Sequence, residues 1–141
     1  MSANSPQFVD TNILIYAHDA SAGAKHDRAR ALLQALWQER AGSLSIQVLQ
    51  EFYVNATRKV AQPMTPEAAA AIIGELAAWQ VHRPDVNDVL EAIRLQTSRQ
   101  LSFWDAMILT SARRLGCATL WSEDMSHGQQ YEGVTVINPF E

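Results

Sequence analysis

Several features common in proteins are scarce or missing in this 141-residue chain, and each shortage removes a class of function. Cys117 is the one cysteine, so there is no disulfide framework. It sits in an apolar stretch before Ala118 to Trp121, which marks a buried small hydrophobe rather than a reactive thiol or a ligand. No run of roughly 18 apolar residues occurs, so no helix is expected to span a membrane. Met1 to Pro6 carry no basic segment followed by an apolar run, so no secretory leader is read and a soluble, cytoplasmic chain is expected. Positive charge is also short. The net charge of −4 gives no general attraction for nucleic acid, and any phosphate binding must rest on local cations or on metal ions. His18, His26, His82 and His127 show neither HxxxH nor Cys/His spacing, so zinc is not indicated and each reads as a surface or loop residue. Internal repeats, low-complexity tracts and long linkers are missing too.

What remains is a chain with 48% hydrophobic residues, suited to a single globular domain over residues 1–141. Its punctuation alternates short strands with amphipathic helices. Phe8–Asp10 reads as a first strand, Asn12–Ala17 as a turn of helix, and Ala24–Arg40 as a helix with Ala29, Leu32, Leu33, Leu36 and Trp37 at helical spacing. Ser43–Ile46 is a second strand after a break at Gly42, and Gln47–Val60 a helix that stops before Pro63. Thr65 caps a helix begun by Pro66 and running to about Ala78. Trp79–His82 is a third strand, Asp85–Arg99 a helix, Phe103–Leu115 a helix ended by Gly116, Ala118–Ser122 a fourth strand and Val134–Ile137 a fifth. The expected fold is three-layer α/β/α with a central parallel sheet of about five strands.

In such sheets ligands collect outside the carboxyl ends of the strands, and four acids map there. Asp10 ends the first strand. Asp124 lies just beyond the fourth. Glu51 is in the second turn of the helix leaving the second strand. Asp105 opens a helix that must descend before the fourth strand ascends, which requires the preceding helix to fold back. Each has an ordinary reading as well. Asp10 serves as an Asx-type cap for the turn at Thr11-Asn12, and Asp124 as a loop residue. Glu51 lies off the centre of the apolar face formed by Val48, Leu49, Phe52, Tyr53, Ala56 and Val60, so alone it reads as an exposed helix residue. Asp105 reads as a first-turn acid with Ser102 as the cap. It also lines up with Ile108, Leu109 and Ala112, on the core stripe, where an ionised carboxylate needs a cation or several donors. Carboxylates gathered in one cleft repel unless a hard cation joins them, and Mg²⁺ or Mn²⁺ prefers oxygen ligands. Such a site favours phosphoryl chemistry.

Phe8-Val9-Asp10-Thr11-Asn12-Ile13-Leu14, Gln50-Glu51-Phe52, Leu101-Ser102-Phe103-Trp104-Asp105-Ala106 and Leu120-Trp121-Ser122-Glu123-Asp124-Met125 together resemble the PIN-domain ribonucleases, and among them the small VapC-type toxins of bacterial toxin–antitoxin pairs. The resemblance spans nearly the whole chain, including His127-Gly128 and Gly133 to Phe140. It implies that Asp10, Glu51, Asp105 and Asp124 form the Mg²⁺ or Mn²⁺ site of an endoribonuclease that leaves a 5′-phosphate and a 3′-hydroxyl. Thr11 and Ser122 would be polar supports, and Asn12 would orient Asp10 or begin the helix. Glu123 adjoins Asp124 and competes for its role, with Asp124 preferred. An RNA substrate, a cognate antitoxin and a homodimer are implied as partners.

Arg58, Lys59, Arg113 and Arg114 offer positive charge for an RNA backbone, though paired basic residues on helices are usually solvated faces. Trp37, Phe52, Tyr53 and Trp79 read mainly as core, and otherwise as a groove or interface. Three other readings compete with this one. A haloacid-type phosphohydrolase also opens with an Asp after a strand, but expects an acid where Asn12 stands. A receiver-like switch expects an Asp ending the third strand and a Lys near the fifth, whereas Arg83-Pro84 follow the third strand and no Lys follows Lys59. A non-catalytic RNA-binding PIN domain remains the third.

Overall fold

The alternating pattern folds into one mixed sheet with helices on its faces, in a computed structural model that describes residues 5–141. Residues 1–4, part of the stretch in which no leader was read, lie outside the described residues. The strands are β1 (Gln7–Val9), β2 (Gly42–Ser45), β3 (Gln80–His82), β4 (Thr119–Trp121), β5 (Gln130–Tyr131) and β6 (Val134–Ile137), in spatial order β3-β2-β1-β4-β6-β5. Every neighbouring pair is parallel except β5 with β6. The helices are α1 (Thr11–Ala17), α2 (Ala24–Glu39), α3 (Ile46–Arg58), α4 (Pro66–Leu76), α5 (Val86–Arg99) and α6 (Phe103–Arg114). No helix among the described residues is long and apolar enough to cross a membrane.

The sheet is buried on both faces, as parallel strands between helices must be. Phe8, Val9, Leu44, Leu120 and Val136 from the strands meet Ile13, Leu14, Leu36, Phe52, Ile108 and Leu109 from the helices. Cys117 is buried with them, and burial pushes its thiol up to about 11, which keeps it protonated. Phe52 and Trp79 are core residues, while Trp37 and Tyr53 remain partly exposed.

Caps set the element ends. Thr65 Oγ1 accepts the Ala68 amide at 3.1 Å ahead of Pro66. Gly116, at φ 76°, closes α6, with the Cys117 amide reaching back to the Ala112 carbonyl at 2.9 Å. The stop after α2 is different from the one read at Gly42. Arg40 takes the left-handed conformation at φ 54°, and Gly42 is the first residue of β2. Glycine is needed at that position for space, because a Cβ there would lie 2.4 Å from the Trp79 ring. A sixth strand joins the expected five. β5 turns into β6 through Glu132 and Gly133, both at positive φ (49° and 92°), the backbone signature of a two-residue hairpin turn.

The chain reverses between α5 and α6, as Asp105 requires. Asp88 in the first turn of α5 meets Arg114 in the last turn of α6, with Arg114 Nε donating to Asp88 Oδ1 at 2.7 Å. Asp88 also accepts the Asp85 amide at 2.9 Å in a reciprocal capping box and lies 3.2 Å from His82 Nε2. His82 Nδ1 pairs with Ser111 Oγ at 2.7 Å, so β3, α5 and α6 are pinned by one buried polar chain.

Candidate active site

Asp10 stands where β1 becomes α1. Its amide donates to the Trp121 carbonyl of β4 at 2.9 Å, which continues the sheet by one residue. Its side chain then caps α1, as Oδ1 accepts the Thr11 amide at 2.8 Å. Oδ2 accepts the Ser122 hydroxyl at 2.8 Å. Asn12 spans the same junction: its Nδ2 lies 3.5 Å from Asp10 Oδ2, and its Oδ1 accepts the Glu123 amide at 3.1 Å. The start of α1 is thereby tied to the segment after β4. Ser122 Oγ also accepts the Asp124 amide at 3.2 Å, so one hydroxyl links two of the acids.

Glu51 enters from α3, whose cap is Ser45 at the end of β2. Thr11 Oγ1 donates to Glu51 Oε1 at 2.8 Å, and Gln47 Nε2 lies 3.4 Å from both Glu51 Oε2 and the Trp104 carbonyl. Asp105 enters from the first turn of α6, where its amide donates to the Ser102 cap at 3.1 Å. Asp10, Glu51, Asp105 and Asp124 thus line one hollow of about 190 Å³, together with Thr11 and Asn12. Glu123 turns away from it, accepting from the Tyr16 hydroxyl at 2.7 Å and from Lys25. Those partners hold its carboxyl below the usual range in spite of partial burial.

Two lining residues, Gln47 and Asn55, were not singled out from the sequence. The signal was present: Gln47, Glu51 and Asn55 recur every four residues along α3, with Lys59 continuing the spacing at its C-terminal cap, a polar row beside the apolar face. Conversely, Arg113 and Arg114 are drawn away. Arg113 pairs with Glu91 and Glu132, and Arg114 with Asp88. None of the four histidines lines the hollow.

The electrostatics follow from like charges in one place. Burial pushes Asp10 up to about 6; the Ser122 and Thr11 donors oppose this, and the charges of Asp124 and Glu51 add to it. Asp105 is also raised, first by burial and then by Asp124 and Glu51, with Ser102 opposing. Among the described residues no Lys, Arg or His lines the hollow. Among the described residues no three His, Cys, Asp or Glu side chains are drawn into a closed ligand set. The four carboxylates face a common space without converging on one point. Their chemistry fits a hard divalent cation nonetheless: the donors are oxygens, and Asp10 is strongly desolvated without a cationic partner.

A family model described as PIN domain matches residues 8–129. No curated protein matches the chain significantly. Among solved structures, the chain is similar to a chain of a toxin–antitoxin complex from Klebsiella pneumoniae, with 20% identity, a TM-score of 0.68, and 96% of this chain and 98% of that one covered. It is similar to a VapC toxin of Mycobacterium tuberculosis described as cleaving the sarcin-ricin loop, at 24% identity and TM-score 0.64, with 83% and 88% covered. DNA-bound VapBC from Salmonella typhimurium matches at 17% identity and TM-score 0.64, with 94% and 96% covered. At these identities the likeness is one of fold.

Proposed function

The chain belongs to the PIN-domain family, and from that premise we propose that it is a metal-dependent endoribonuclease, the toxin of a toxin–antitoxin pair. The observation that carries this reading is the hollow itself, which carboxylates from four separate segments line with no Lys, Arg or His of the described residues among them. Asp10, Glu51, Asp105 and Asp124 would hold Mg²⁺ or Mn²⁺. When bound, the ion supplies an activated water and positive charge for the phosphodiester. The chain's own part is positional. Ser122 and the Thr11 amide fix both oxygens of Asp10, the Thr11 hydroxyl fixes Glu51, and Asn12 holds the segment bearing Asp124 against α1. Hydrolysis would leave a 5′-phosphate and a 3′-hydroxyl.

An aspartyl-phosphate mechanism of haloacid type is less well supported. Asp10 is 6% exposed and both its oxygens already accept hydrogen bonds, so it is poorly placed to attack phosphorus. The partners in this reading are an RNA substrate, a cognate antitoxin and a second copy of the chain, acting in the cytoplasm.

The test is cleavage of a structured RNA pool by purified protein in Mg²⁺, in Mn²⁺ and in EDTA, beside Asp10→Asn and Asp105→Asn. Metal-dependent cutting by the wild type, lost in both folded variants, is the expected result. Equal cutting by a folded Asp105→Asn protein would remove that residue from the site, and failure of the wild type to cut while still binding RNA would favour a non-catalytic PIN domain.

A further inference from the structure

The acid hollow continues into an open trough of about 520 Å³, and the two share Asn12 and Asn55 on their walls. The trough lies between two rows of side chains. Asn12, Tyr16 and Asp19 come from α1 and the turn after it, Asn55 from α3 and Lys59 from the residue that caps α3, with Ile15 and Val60 adding apolar surface. Glu51 and Asn55 stand four residues apart on α3 and Lys59 is its C-terminal cap, so this edge leads from the acids past an amide to a lysine whose backbone lies about 12 Å along the helix axis.

Lys59 is set apart by its place beside the acid hollow. Lys25, Arg94, Arg113 and Arg114 are held in ion pairs. Lys59 is exposed, makes no ion pair among the described residues, and is the one cation lining the trough. The acid lining it among the described residues, Asp19, turns Oδ1 to Ser21, accepting from the amide at 3.0 Å and from the hydroxyl at 2.5 Å, and makes no ion pair with Lys59. On a chain of net charge −4, a cation without an ion pair in the trough that adjoins the acids is a point where a polyanion can gain a contact.

We infer that a single RNA strand leaves the acid hollow along this trough, with Lys59 taking a backbone phosphate beyond the scissile one and Asn12 and Asn55 facing the intervening nucleotide. This path rests on the ribonuclease reading. Lys59 is a positioning residue: it fixes where the strand lies and takes no part in the bond change.

The experiment measures binding of a short fluorescent single-stranded oligoribonucleotide in EDTA across a salt series, for wild type, Lys59→Gln and Arg58→Gln. Arg58 is the neighbouring exposed cation and lines neither hollow. Lys59→Gln is expected to weaken binding about fivefold at low salt and to reduce the slope of log K against log salt by about 0.7, one phosphate contact on a single strand. With Mg²⁺ the same factor should appear in KM while kcat is kept. Arg58→Gln should move neither. Equal losses in both variants would reduce the effect to net charge and overturn the path. Unchanged RNA affinity in Lys59→Gln would overturn it as well and leave the trough to a protein segment. A wild type that neither binds nor cuts RNA would sink the ribonuclease reading itself.

Discussion

Asp10 and Asp88 both show little surface to solvent, at 6% and 3% exposure, but Asp10 lies deep in the protein and Asp88 near its surface, and their carboxyls shift in opposite directions. Removal from water lifts the pKa of any carboxyl. At Asp88 this is outweighed by the Asp85 amide, the Arg114 guanidinium and His82, and the group sits below its usual range. At Asp10 it prevails over the Ser122 and Thr11 donors, is reinforced by Asp124 and Glu51, and lifts the group from 3.8 to about 6. The region around α5 and α6 completes its own charge balance. The carboxyl edge of the sheet leaves its balance open, as a site that receives a cation from outside would.

The comparison can be broken from either side. The largest effect is expected at Asp10→Asn, which should lower RNA cleavage roughly 10³-fold while thermal unfolding without metal stays level or rises, because a carboxylate repelled by its neighbours has been removed. Activity assays and melting curves on the same preparation check both halves. A second test uses pH. Because the folded pKa of Asp10 is raised, the folded state holds a proton that the unfolded state releases above pH 3.8. Its contribution is therefore full below pH 3.8 and falls by about 3 kcal/mol as pH rises through about 6. Urea unfolding in EDTA between pH 4 and 7 should show a decline that Asp10→Asn lacks. Asp88 has the reverse sign: its folded pKa is lowered, so its contribution is present above the unfolded pKa and lost as pH falls.

Smaller effects sharpen the contrast. Asp88→Ala leaves His82 and Arg114 without their shared acceptor and should cost about 2 kcal/mol, less than a fully buried pair because Arg114 is half exposed. Denaturant unfolding measures this, and metal affinity should be unaffected. Ser122→Ala removes the donor that holds Asp10 down, so Asp10 should titrate higher still and Mg²⁺ should bind about tenfold more weakly, as read by the Mg²⁺-induced rise in melting temperature. An unaltered Mg²⁺ response in Ser122→Ala would detach that hydroxyl from the site.

The layered fold and the edge holding the acids were legible because strand and helix periods differ and parallel topology fixes which strand ends coincide. Asp105 shows how far such reading goes: its place on the stripe with Ile108 and Leu109 put it at the edge, on condition that α5 fold back. The Asp88–Arg114 contact that closes that hairpin joins residues 26 apart in the chain, and no local pattern announces it. β5 escaped notice because two residues, Gln130 and Tyr131, are too few to display alternation. Gly42 was misread for a related reason, since its constraint comes from Trp79, which is distant in sequence and adjacent in space. Asn55 and Gln47 were overlooked although their spacing from Glu51 was visible, because an amide on a helix edge carries no chemical signal until its neighbours are known.

β1 lies between β2 and β4, and β4 begins only at Thr119. A ribosome making this chain therefore delivers Asp10 more than a hundred residues before Ser122 and Asp124. Until then the inner edge of β1 has no partner strand and Asp10 lacks the hydroxyl that holds it. An incomplete product cannot assemble the four acids. If the activity harms its host, the order of strands is itself a safeguard, delaying competence until β4 and the segment after it have been made.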